Sequence, residues 1–159
     1  MIPGMILKFL QDRGTIAVSG TRNANLVPHI HYVSGWDVEP DQQTIRCSIN
    51  RAYLDQLFDS LEDNGQFSLT VEQIGTHETY QFKGNYAGST EPNDADFAAH
   101  RRMTERFAKA VSQLFGYSEE DCRAFISPPS VVVRFTVREI FLQTPGPGAG
   151  HRVSPPEGL

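Results

Sequence analysis

Apolar residues along the chain recur with two periods, and the switches between them mark its elements. Residues 5–12 put Ile6, Phe9 and Leu10 on one helical face, with Gly14 just past the end, and predict a short helix. Residues 15–19 (TIAVS) are short and β-branched, the signature of a strand, and TRNAN at 21–25 is turn chemistry. A second strand is predicted over 27–38, bent at Gly35, and a third over 44–49, with EPDQQ between them. Short turns joining these three strands predict an antiparallel meander.

The period then lengthens. Leu54, Leu57, Phe58 and Leu61 share one face of a helix predicted over 51–61, closed by Asn64–Gly65. Residues 67–73 and 79–87 alternate as two strands around the hairpin IGTHE. A polar break, STEPND, leads into a long helix over about 94–115 with an apolar stripe of Phe97, Phe107, Val111 and Leu114, ended by Gly116. Ser118 opens a short helix, with Asp121 as its capping-box acid, and Pro128–Pro129 stop it. Residues 131–142 (VVVRFTVREIFL) form the longest β-prone run. Six strands with short connections and helices inserted at two points predict an α+β protein, a small closed or half-open six-stranded antiparallel β-barrel in a single domain over 1–145. The remaining 146–159 segment carries too few apolar residues to pack alone and is expected to be an extended or disordered C-terminal tail.

Composition narrows the function. At 159 residues, 39% hydrophobic and 21% charged, the chain suits one globular domain. A net charge of −5 with no basic run speaks against nucleic acid. Two distant cysteines make neither a disulfide framework nor a zinc motif. The N-terminus lacks a basic region before its apolar patch, and no apolar run approaches the roughly 20 residues of a membrane span. A cytoplasmic location is expected.

Candidate chemistry is sparse. His29 and His31 stand two apart on a strand and share one side of it. They could present two imidazoles to a metal with His77 as a third ligand, face an organic ligand, or line the barrel wall; the residues alone leave these open. In CSINRAYLDQL, residues 47–57, a strand gives way to a helix beginning at Arg51. Ser48, Asn50, Arg46 and Arg51 gather polar and cationic groups around a helix N-terminus, which suits a small anion such as phosphate, or an ordinary N-cap with solvated arginines. Residues 79–83 alternate, with Thr79, Gln81 and Lys83 on a polar face. The glycines of QTPGPGAG fit neither a Walker loop nor a dinucleotide turn. No serine sits in a nucleophile elbow, and no catalytic side chain is assigned.

Taken in order, VPHIHYV, TIRCSINRAYLDQL, GQFSLTVEQ, THETYQFKGNYAG, a helical insertion and a final strand running into FLQTPGPGAG resemble the pyridoxamine 5′-phosphate oxidase-like family of FMN-binding split barrels, over roughly residues 5–145. The resemblance implies a six-stranded antiparallel split β-barrel, a homodimer with FMN between subunits and an oxidoreductase acting on a small-molecule substrate. It implies that Arg46, Cys47, Ser48, Asn50, Arg51 and Tyr53 hold the phosphate and ribityl chain. It also implies that His29 and His31, on the second strand, pass along the flavin ring and that Thr79 and Gln81 supply polar contacts. The chain has Ala52–Tyr53 where the true oxidases carry an Arg-Lys pair, which leaves the substrate open. A metal-binding barrel using His29, His31 and His77, or a non-catalytic dimeric binding module, are the alternatives.

Overall fold

A computed structural model describes residues 1–50 and 54–153 of the chain. The order of elements is α1 (Gly4–Asp12), β1 (Ile16–Arg22), β2 (Pro28–Val38), β3 (Thr44–Ile49), α2 (Leu54–Asn64), β4 (Gln66–Gln73), β5 (Glu78–Thr90), α3 (Asp94–Phe115), α4 (Glu119–Phe125) and β6 (Val131–Leu142). All neighbouring strands pair antiparallel, and the ring closes as β1-β2-β3-β6-β5-β4. The α+β barrel with inserted helices expected from the pattern is therefore the fold.

Strand alternation fills the barrel. Ile45, Cys47 and Ile49 of β3 point inward to meet Leu69, Val71, Phe82, Val133 and Phe135, and all are fully buried. One end is closed by α1. Its Ile6, Phe9 and Leu10 are buried, the Trp36 indole donates to the Leu10 carbonyl at 3.1 Å, and Phe9 meets Tyr80 edge-on at 5.0 Å. At the other end α2 brings Leu57 and Leu61 into the same core. Asn64 at its C-terminus donates to the Arg22 carbonyl at the end of β1.

The long insertion, α3, lies on the outer face of β2. A Cβ at Gly35 would stand 2.8 Å from the His100 amide nitrogen, so the glycine lets helix and strand backbones touch. The register of β2 against β3 also shifts between Val33 and Gly35, which is where the sequence predicts a bend. The helix begins with a capping box between Asn93 and Asp96 and ends at Gly116 in the left-handed conformation. Its inward face differs from the expected stripe. Ala99, Met103, Phe107 and Ala108 are buried, whereas Phe97 and Leu114 are 37% and 50% exposed. Small alanines permit the close crossing at Gly35, and close crossing rather than side-chain size selects the buried face.

After β6 the chain turns through 143–150 and returns along that strand. The Leu142 amide donates to the His151 carbonyl, the Val153 amide donates to the Ile140 carbonyl, and Val153 packs against the core. No helix among the described residues is long and apolar enough to cross a membrane.

Candidate functional site

An apolar concavity of about 270 Å³ lies between the outer face of β1–β2 and the α3–α4 insertion. Its walls are Ile16, Tyr32, Val33, Met103, Phe125 and Ile126, with polar edges at Ser34, Asn50 and Ser127. Tyr32 and Phe125 meet edge-on at 6.3 Å and stay 59% and 65% exposed, so the pocket opens between two aromatic rings. Such a pocket is mostly apolar with a few convergent polar groups, as ligand sites are, and lies just below their usual range of ~300–1,000 Å³. Asn50 sits at the end of β3 and approaches the Pro128 carbonyl at 3.4 Å.

Of the ten residues singled out by sequence, the eight that are described do not converge on this pocket within one chain. Asn50 lines it, and Arg51 and Tyr53 lie outside the described residues. Ser48 stands opposite Gly35, is 2% exposed, and accepts a hydrogen bond on its carbonyl from Ser34 Oγ at 3.3 Å. Cys47 points into the barrel, where burial pushes its thiol far above the usual range, so its place is in the core. Arg46 faces outward, but its guanidinium is engaged by both Asp96 oxygens at 3.0 and 2.7 Å, with Glu39 at 3.8 Å. This fork ties β3 to the first turn of α3.

The histidines separate as well. His31 is 1% exposed and stands opposite Ser19. Burial, with a smaller contribution from the nearby His29, lowers its pKa, so its ring is neutral at pH 7. His29 is half-buried and lies in another concavity described below. His77 caps the β4–β5 hairpin, 2.8 Å from Glu72. Glu72 is opposite Ile16 and His29 opposite Thr21, so about five residues of strand, on the order of 17 Å, separate His77 from the pair. Among the described residues no three histidine, cysteine or carboxylate groups gather closely enough to hold a metal.

Thr79 and Gln81 are stitched to the segment after β6. The Thr79 hydroxyl donates to the His77 carbonyl at 2.8 Å, its amide donates to Thr144 Oγ1 at 3.0 Å, and its carbonyl accepts from the Gln143 amide at 2.8 Å. Gln143 Nε2 donates to the side-chain Oε1 of Gln81 at 3.4 Å. Around the ring, β5 is separated from β2 by β4 and β1. Sequence reasoning missed Met103, Phe125 and Ile126. The signal for the last two was an apolar pair, Phe125–Ile126, set shortly before the helix-stopping prolines.

Neither family models nor curated protein sequences match the chain. Solved structures do match it in fold. HupZ of Group A Streptococcus superposes with a TM-score of 0.56 at 19% identity, over 94% of this chain and 100% of that one. A candidate pyridoxamine 5′-phosphate oxidase of Lactobacillus delbrueckii gives 0.53 at 12% identity, over 88% and 93%. An FMN-binding protein of Syntrophomonas wolfei gives 0.50 at 12%, over 84% and 80%. With its closed six-stranded ring and inserted helices, the chain has the split-barrel fold of the FMN-binding and pyridoxamine 5′-phosphate oxidase-like proteins.

Proposed function

We propose that the chain binds FMN in the apolar pocket beside Tyr32, as one half of a site shared by two copies, and acts as an FMN-dependent oxidoreductase on a small molecule. The observation that carries this reading is the pocket itself: an apolar slot flanked by two half-open aromatic rings, on a fold shared with an FMN-binding protein. The slot suits the edge of a flat heteroaromatic ring. Its limited volume, and the exposure of Ile30, Tyr32 and Phe125 around its mouth, suit a second copy covering the remainder.

In this reading Tyr32, Val33, Met103 and Phe125 hold the ring and keep water from one of its faces. Asn50, Arg51 and Tyr53, at the junction of β3 and the following helix, take the phosphate and ribityl chain. Ser48 supports the same junction from beneath. Arg46 and Cys47 act at one remove, through α3 and the core. His31 stiffens β2 from the barrel interior. FMN, when bound, supplies the electron and hydride transfer. The chain contributes orientation, a dry wall and a polar rim.

Titration with FMN and with riboflavin, followed by flavin fluorescence, tests the reading on wild type and on Arg51→Ala. A charge-assisted contact to phosphate is worth about 1.5–3 kcal/mol, so the FMN dissociation constant should rise ten- to a hundredfold while riboflavin binding holds. Phe125→Ala should weaken both ligands. Failure of the wild type to bind either flavin would overturn the assignment.

A further inference from the structure

The barrel's outer face carries a second concavity, an open groove of about 730 Å³ across β1, β2, β4, β5 and β6. It shares no lining residue with the apolar pocket. Its charges are lopsided: Arg22, Lys83, Arg138 and Arg152 stand against a single acid, Glu139, on a chain whose net charge is −5. Glu139 lies 3.6 Å from Arg152 and is matched by it. The other three cations have no carboxylate partner among the described residues. The Arg22 guanidinium makes only a long contact, 3.5 Å, with the Asn23 carbonyl, and Lys83 Nζ rests 4.7 Å above the Phe141 ring.

A backbone device sets this arrangement. Lys83 pairs with Glu139 and Gly84 with Val137, so Arg138 is the extra residue of a β-bulge. Arg138 and Glu139 therefore both face outward between the buried Val137 and Ile140. The bulge depends on Gly84, because a Cβ there would collide with the Thr136 carbonyl. Bulges re-aim side chains, and this one turns Arg138 outward beside Lys83. Neighbouring cations without acids repel each other, and a bound anion removes that cost. Gln66 and Asn85 add amide donors to the same groove.

We propose that this groove binds a small organic polyanion carrying two or more phosphate or carboxylate groups, held by Arg22, Lys83 and Arg138. Its volume falls in the range of small-molecule sites.

Isothermal titration of the full chain with inorganic pyrophosphate, and separately with citrate, tests this. Wild type should bind at least one of them, more weakly as salt rises. Preference for pyrophosphate identifies a phosphate ligand, preference for citrate a carboxylate one. Lys83→Ala/Arg138→Ala should lose about tenfold in affinity for each cation removed, with an unchanged unfolding midpoint, since both side chains are exposed. Saturating FMN should not displace the anion. The proposal fails if neither anion binds, if the double variant binds as wild type does, or if FMN competes. It fails equally if the variant alters the mass in light scattering while keeping its anion affinity, since the groove would then be a protein interface.

Discussion

The guanidinium of Arg46 and the carboxylate of Asp96, fifty residues apart in sequence, meet through two parallel contacts at 3.0 and 2.7 Å. Asp96 is 3% exposed and also accepts from the Asn93 amide. Its burial would raise its pKa, but the hydrogen bonds from Arg46 and Asn93 and the Arg46 charge outweigh burial and lower it. A carboxylate with a lowered folded pKa contributes stability above its unfolded pKa and loses it as pH falls through the folded value. The contribution should therefore begin to fall near pH 4, the unfolded value, and keep falling as pH drops through the folded one. Arg46→Ala should cost about 2–4 kcal/mol at pH 7 by stranding a buried charge, and less at pH 3. Urea unfolding across this range checks it. An equal loss at both pH values would remove the ion pair from the explanation.

His31 carries the opposite charge logic. Burial and the neighbouring His29 lower its pKa, so the folded ring stays neutral where an unfolded one takes a proton. Unfolded chains bind that extra proton below about pH 6.5, so stability should decline from there as pH falls toward the folded value. Imidazole NMR shifts should show His31 titrating below the range of an exposed imidazole. A ring that titrates normally would contradict its burial.

Gly84→Ala should cost about 3 kcal/mol or more, because the new methyl meets the Thr136 backbone and not a yielding side chain. A chemical denaturation midpoint near wild type would mean that the bulge can relax.

Ile30 and Tyr32 are 71% and 59% exposed on the outer face of β2. If two copies share the apolar pocket, Ile30→Glu/Tyr32→Glu should yield a monomer in light scattering and abolish FMN binding together. A monomeric wild type would sink both expectations.

Removing residues 151–159 takes away two backbone hydrogen bonds to β6 and the packing of Val153. The expected loss is about 1–3 kcal/mol. A loss below this range would mean that the returning segment lies on β6 without holding it.

Much of the fold could be read from the sequence because its signals are local. The bounds of β3 and β6 match the β-prone runs, and α3 runs between the Asn93 cap and Gly116 as expected. β5 extends to Thr90, three residues past the reading, because β6 is long enough to pair with it beyond irregularities at Gly84 and Tyr86 that break the alternation. The candidate sites were less legible. Asn50 could be found from a strand-to-helix switch, but the partner that engages Arg46 lies in a distant helix. The groove's cations come from β1, β5, β6 and the segment after it, and no local window contains them.

The pairing of β1 with β4 that completes the ring has a further consequence. Every strand has neighbours on both sides, so the barrel offers no row of open backbone groups for an incoming strand to extend. Recognition by adding a strand to the sheet is therefore closed to this barrel. Partners are chosen by the shape and charge of its outer faces, and substitutions there can change what it binds while leaving its backbone ladder whole.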